Sequence, residues 1–324
     1  MEDKDNMETG SKRSFLNIRC YKFVSLDHLE EHRQLLAEIG QLLSVTGTII
    51  LSNEGINIAL SGDKSSVEQM FEACKAIPGL KNLKGKTSNS EKIGFEKLKV
   101  KIKSEIIKMN QPQIRPEEER APFVDANTLA KWILDGYDDA GKPIKIVDTR
   151  NEFEFQLGHF KDSINLKLEK FSEFPQKIKE QGQFLEGYKL VNVCTGGIRC
   201  EKASSYLKEK GFKNVFHLKG GILKYLETIP INESRWEGEC FVFDQRVTVN
   251  HNLEKGDFSQ CYGCKMPLSK KEVEDKKYIK GVTCKYCFDS LTNDQKKRFS
   301  QRQKQIELSL TRGEAHIGQT KKIK

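Results

Sequence analysis

The chain has 324 residues, enough for two or three domains that each bury a core. Its composition is 37% apolar and 31% charged, and no run approaches the ~18 apolar residues of a membrane span, which excludes a membrane-spanning helix. Nine cysteines, an odd number, fit thiol and metal chemistry in a reducing compartment better than a disulfide framework, and a formal net charge of +9 favours an anionic partner such as nucleic acid, although solubility alone accounts for it.

Residues 1–13, MEDKDNMETGSKR, are charged, lack apolar periodicity and carry no signal-peptide apolar stretch. They read as a disordered tail, and a cytoplasmic address with no membrane partner follows by default. From residue 14 to 110 the pattern becomes regular. FLNIRCYKFV reads as a strand, LDHLEEHRQLLAEIGQLL as an amphipathic helix, and VTGTIILS with INIAL as a strand pair. SSVEQMFEACKAI reads as a second helix and EKLKVKIKSEII as the last strand. The order βαββαβ predicts a ferredoxin-like sandwich with two helices on one face of an antiparallel sheet and the other face open. Cys20 and Cys74 fall at core positions.

Two features of this domain have a sharp and a plain reading. In SNEGINIALSG, Asn53, Glu54 and Gly55 make a turn with Gly55 supplying positive φ, or else Glu54 and Asn57 face a substrate groove shared with the next domain. Lys97, Lys99, Lys101 and Lys103 alternate along the last strand, so one face carries a row of positive charge that suits phosphate contact or simply solvent.

Residues 111–123 contain three prolines with Pro122, lack a periodic core and read as a linker. Residues 124–231 then alternate helix and apolar strand: ANTLAKWILDG, IKIVD, LVNVC and VFHL predict a doubly wound parallel sheet covered on both sides. Cys194 ends the LVNVC strand, at the carboxyl edge where open α/β sheets place their ligands. Thr195, Gly196, Gly197 and Ile198 separate it from Arg199, and a helix begins there. Consecutive N–H groups and the positive end of the helix dipole should hold the sulfur as thiolate.

Cysteine phosphatases place five residues in the corresponding loop. Four better suit a single extra sulfur or another small anionic group. C-x-x-G-x-R resembles the active-site loop of rhodaneses, whose cysteine carries a persulfide. Upstream, IKIVDTRNEFEFQLGHFKDSIN resembles the rhodanese signature, with Asp148, Arg150, Glu154, Phe155, Gly158, His159 and Asn165 in matching places. His159 reads as structural, since a histidine in such a turn commonly bonds backbone carbonyls. Cys200 is six residues from Cys194 and is either a resolving thiol for a persulfide or sulfenate, or local packing.

Residues 232–324 form a cysteine-rich region with a basic tail. WEGECFVFDQRVTV reads as a strand pair or strap with Cys240 buried. Cys261, Cys264, Cys284 and Cys287 make two C-x-x-C knuckles nineteen residues apart, the spacing of a closed structural zinc ribbon. Beyond them Lys296, Lys297, Arg298, Arg302 and Lys304 cluster on a segment that begins like a helix, either a solvated tail or an RNA-backbone contact.

SNEGINIAL, CTGGIRCEKAS and FVFD followed by paired cysteines, in this order, resemble the rhodanese-domain oxygen-dependent tRNA uridine hydroxylases over nearly the whole chain. The resemblance implies an oxidoreductase that incorporates oxygen from O2, converting the wobble uridine (position 34) of tRNA to 5-hydroxyuridine, with Cys194 essential. Arg199 and the loop amides would stabilise the anionic sulfur. The chain carries no dinucleotide fingerprint or facial metal triad, so no organic cofactor is expected, O2 is a co-substrate and zinc is structural. The rival reading is a rhodanese-type sulfurtransferase working through a Cys194 persulfide.

Overall fold

The computed structural model describes residues 14–312. The charged N-terminal tail and the last residues of the basic tail lie outside them. The chain divides into two compact units, Met1–Ile106 and Ile107–Lys324.

Within the first unit the order is β1 (Phe15–Phe23), α1 (Leu29–Leu42), β2 (Thr46–Ser52), β3 (Gly55–Gly62), α2 (Lys64–Lys75), β4 (Lys86–Ser90) and β5 (Leu98–Ile102). The strands lie in the order β4-β1-β3-β2-β5, and the first four are mutually antiparallel as expected of a ferredoxin-like sandwich. Alternation along the strands turns Ile18, Cys20, Ile49, Leu51, Ile58 and Leu60 onto one face, where they meet Leu36 of α1 and Val67, Met70 and Cys74 of α2.

The expected last strand needs correction. The fourth strand of the sandwich is KTSNS, which is polar and largely exposed, and therefore carries no apolar alternation to reveal it. The lysine-rich stretch supplies a fifth strand, paired parallel to β2 at the opposite edge. Leu98 and Val100 pack on the core while Lys97, Lys99, Lys101 and Lys103 are exposed. Because β4 and β5 lie at opposite edges, the connection between them crosses the sheet. Gly94 N–H donates to Ser61 Oγ of β3 at 2.8 Å on the way.

Glu54 and Asn57 both bond the backbone of Ile106. Glu54 Oε1 accepts from Ile106 N–H at 2.7 Å and Asn57 Nδ2 donates to Ile106 O at 3.2 Å, so both latch the chain as it leaves the unit. Gly55 has φ +141°, and a Cβ there would lie 2.0 Å from Lys22 O, so the backbone approach requires glycine.

In the second unit β6 (Phe123–Val124), α3 (Ala126–Asp135), β7 (Ile144–Asp148), α4 (Glu152–Leu157), β8 (Gly158–Phe160), β9 (Ile164–Asn165) and α5 (Phe174–Gln181) come first. β10 (Lys189–Val193), α6 (Ile198–Glu209), β11 (Val215–Leu218) and α7 (Gly221–Thr228) follow. The parallel sheet has the order β6-β11-β10-β7-β9. Two apolar layers flank it. Trp132, Ile146, Val191, Val193, Ile222 and Tyr225 belong to one; Val147, Phe174, Leu190, Ala203, Tyr206 and Val215 belong to the other.

Both boundaries read from the sequence are too tight. Ile114 and Ala121 of the proline-rich stretch are buried, Ile114 together with Met109 in the second layer, and Ser205 of α6 bonds Glu119 O at 3.2 Å. That stretch is packed chain, not a free linker. After residue 231, β12 (Trp236–Gly238) pairs with β8, and β13 (Cys240–Phe241) pairs with β14 (Thr248–Val249). Trp236, Cys240, Val242 and Val249 complete the first layer. The remainder holds β15 (Ser259–Gln260), β16 (Pro267–Leu268), α8 (Lys270–Val273) and α9 (Asn293–Thr311). No helix of the described residues is long and apolar enough to cross a membrane.

Candidate active site and metal centre

The five residues after β10 fold as they do because of their glycines. Gly197 adopts φ 110° as the N-cap of α6, which lets the chain double back so that its N–H donates to Cys194 Sγ at 3.1 Å. A second pair of glycines supports the loop from behind. Gly221 has φ +70°, and a Cβ there would lie 2.5 Å from Cys194 O and 2.8 Å from Gly197 N. The amides at the start of α7 close the contact, Ile222 N–H donating to Cys194 O at 2.9 Å and Leu223 N–H to Thr195 O at 3.2 Å. Two helices thus begin on one loop. Gly196 faces the other way, with nothing within 4 Å of where a Cβ would be.

Cys194 is 1% exposed. Burial by itself would push its thiol up, but the Cys200 thiol, the Arg199 guanidinium and the N–H groups of Cys200 and Gly197 outweigh it and hold the group down at about 6. Cys194 is therefore a thiolate at neutral pH. Cys200, on the first turn of α6, has its Sγ 3.2 Å from Cys194 Sγ and 3.1 Å from Gly197 O. Burial and the neighbouring thiolate drive its own thiol well above the ordinary value, so the pair divides into one anionic and one protonated sulfur.

Arg199 does not point into solvent. Its Nη1 and Nη2 donate to Glu154 Oε2 and Oε1 at 2.6 and 2.7 Å, a bidentate pair between side chains 7% and 0% exposed. Burial would raise the Glu154 carboxyl, and Arg199 more than reverses this, so Glu154 is ionised. Glu154 is itself set by a capping box at the start of α4, where its Oε2 accepts from Asn151 N–H at 3.1 Å. The other residues of the upstream signature brace this arrangement. Arg150 forks onto Asp148 at 2.6–3.1 Å and donates to Gly158 O at 2.7 Å and Glu154 O at 3.2 Å. A Cβ on Gly158 would meet Glu239 O at 2.5 Å, and Asn165 Oδ1 accepts from Lys167 N–H at 2.8 Å. His159 stacks on Phe155 and places Nδ1 3.0 Å from Phe155 O, a structural position.

The hairpin of β13 and β14 forms a wall beside the loop, which sequence reasoning missed. Thr195 Oγ1 lies 3.4 Å from Phe241 O. Phe153, Phe241 and Phe243 follow edge to face at 5.1 and 4.9 Å, and Arg199 Cζ lies 5.8 Å from the Phe243 ring. Phe243 is 53% exposed and is held there by a tight turn in which Val247 N–H bonds Asp244 O and Arg246 pairs with Asp244. The only sequence signal for it is the aromatic in FVFD that follows the buried Phe241 and Val242 and precedes a turn.

Cys261, Cys264, Cys284 and Cys287 come together, their sulfurs all within 4.8 Å of one another. The sulfurs lie 3.9 Å (Cys261–Cys287), 3.6 Å (Cys264–Cys284) and 3.9 Å (Cys284–Cys287) apart. Four sulfurs at ~2.3 Å from a tetrahedral zinc are ~3.8 Å apart, so the residues present fit the ion. A closed set of four thiolates would hold it structurally, leaving no position for substrate. The basic residues of α9 divide. Arg302 Nη2 donates to Tyr262 O and Gly281 O at 3.3 and 3.2 Å and Lys296 lies over Phe288, docking the helix on the cysteine module. Lys297, Arg298 and Lys304 are exposed.

Comparison with known proteins matches residues 15–106 to the UPF0176 acylphosphatase like domain and residues 129–228 to the Rhodanese-like domain. Similar solved structures include a rhodanese-related protein from Thermoplasma volcanium (26% identity, 34% of this chain and 96% of that one, TM-score 0.27). Another is the rhodanese-like domain of an Anabaena protein (21%, 36% and 80%, 0.29). A third, from Saccharomyces cerevisiae, is described as a homologue of single-domain rhodanese and the Cdc25 phosphatase catalytic domain (20%, 36% and 87%, 0.30).

Proposed function

The chain has the architecture of the rhodanese-domain tRNA uridine hydroxylase family, an acylphosphatase-like domain followed by a rhodanese domain, and from that premise we propose that it hydroxylates C5 of uridine 34 in tRNA using O2. The observation that carries the chemistry is the Cys194 thiolate, held by Gly197 N–H and Cys200 at the head of α6. A thiolate, or a persulfide built on it, adds to C6 of uracil and makes C5 electron-rich. At 1% exposure the sulfur meets a base only if the loop opens or an added sulfur carries the reaction outward.

Other residues position the substrate. Phe243 offers an exposed ring for the base to stack on, an interaction worth ~1–3 kcal/mol per base. The lysine row of β5 and the exposed cations of α9 suit tRNA phosphates. Arg199, locked to Glu154, stabilises negative charge on the sulfur rather than touching phosphate.

The test is nucleoside mass spectrometry of a transcript tRNA incubated with purified protein under O2 and under argon. 5-Hydroxyuridine should appear only under O2 and only with Cys194 intact; its absence under O2 refutes the reading. A sulfurtransferase is the second reading, favoured by the rhodanese-like domain that carries the loop and by the four residues between Cys194 and Arg199. Thiosulfate turnover through a Cys194 persulfide, indifferent to O2 and without hydroxylated product, would establish it instead.

A further inference from the structure

We propose that Cys200 is the resolving partner of Cys194, and that the two thiols together deliver the electron pair that the hydroxylation consumes. The second half of this statement rests on the function proposed above; the first half does not. The geometry is specific. Of the nine cysteines, these two lie in one loop-and-turn unit with sulfurs 3.2 Å apart, where a disulfide needs ~2.05 Å. Both are buried, so an oxidised Cys194 meets Cys200 before it meets any thiol from solution. Their protonation is asymmetric in the useful sense, one thiolate to react and one thiol in reserve. Cys200 also hydrogen bonds Gly197 O, which points its sulfur at the loop rather than along the helix.

The reaction balances with no further reductant. The uracil C5–H becomes C5–OH, and the O–O bond of O2 breaks. The second oxygen atom leaves as water, with one proton shed by the Cys200 thiol and one taken from solvent. The C6–S bond to Cys194 breaks by elimination as the C5 proton is lost, and the freed Cys194 thiolate and Cys200 then give two electrons to the O–O bond and join through an S–S bond. A small external thiol then reopens the disulfide by exchange, forming its own disulfide. In a sulfurtransferase the same closure would act on a Cys194 persulfide, with Cys200 attacking the inner sulfur and hydrosulfide leaving.

The full chain, reduced and freed of reductant, is treated with one equivalent of hydrogen peroxide and mapped without reduction by mass spectrometry. Tryptic cleavage after Arg199 puts the two cysteines on separate peptides, so a linked pair reports the disulfide directly. Linkage of the peptides bearing Cys194 and Cys200 is expected. Cys194 oxidised to sulfinic acid while Cys200 stays free overturns the proposal. A single turnover with transcript tRNA and O2, without added thiol, should yield at most one 5-hydroxyuridine per chain, matched by one disulfide. Cys200→Ala, checked for an unchanged thermal transition, should yield no more than a tenth of that until an external thiol is added. Equal yield from Cys200→Ala without thiol removes the electron-donating role. A disulfide with no hydroxylated base from the wild type refutes the hydroxylase reading and leaves the resolving role standing.

Discussion

Glu154 and Arg199 form a charged pair with almost no access to water, and Glu154 is the carboxylate that the Arg199 guanidinium bonds. Glu154→Gln should therefore destabilise the protein by ~3–5 kcal/mol in urea unfolding, because it strands a buried guanidinium. The Cys194 thiol is a second, gentler residue-scale test. Its value of about 6 lies below the ordinary 9.0, partly because Cys200 donates to it, so thiolate is lost as the pH falls through 6. Cys200→Ala removes that donor and should move the transition to higher pH. Cys200→Ser, which still donates, should move it less. Thiolate absorbance with a Cys194→Ser blank reads both. At this scale the sequence was informative about atoms and silent about partners. Cys194, Arg199 and the glycines announce an anion cradle by type and spacing alone. That Arg199 is spoken for by Glu154, forty-five residues away in sequence, depends on a tertiary contact with no local pattern.

Elements were legible wherever apolar periodicity is strong and invisible where polar residues do an edge strand's work. KTSNS joins its sheet through backbone bonds and Asn17 Nδ2, which donates to Ser88 O and Ser90 Oγ at 3.2 and 2.9 Å. No hydrophobic signal accompanies it, and by pattern alone the lysine strand reads as the fourth. The glycine pair before α7 was legible as a repeat of strand, glycines and helix; its purpose was not. Gly221 is pressed against the Cys194 carbonyl by a tertiary contact that no local pattern encodes. Gly221→Ala should displace the loop from a distance. Positive φ and a 2.5 Å backbone clash should cost ~2 kcal/mol or more of stability and raise the Cys194 thiol, since the Gly197 amide would shift off the sulfur. Denaturation midpoint and thiolate titration of the same variant should change together.

For the whole molecule, the division into two units predicts how fragments behave. The first core draws only on residues 16–100, so residues 14–106 should fold cooperatively alone. A fragment cut at 124–231 lacks Met109 and Ile114 from one layer and Trp236, Cys240, Val242 and Val249 from the other. It should aggregate or melt far below a fragment of 107–250, as thermal scans would record. The cysteine module makes a separate prediction. Elemental analysis should find one zinc per chain and almost none in Cys284→Ser. Hydrogen exchange on metal removal should rise from residue 259 to 312, where α9 docks, and stay unchanged in the parallel sheet.

The late strap at Trp236–Val249 has a consequence for the order of events during translation. When Leu218 has left the ribosome, every strand of the parallel sheet exists, yet one layer still lacks its closing residues. At ~5–20 residues per second, the intervening 30 or so take roughly 2–6 s. During that interval the nascent chain displays its reactive sulfur with one wall missing, and a chaperone or a small reductant has its best opportunity to attend to it.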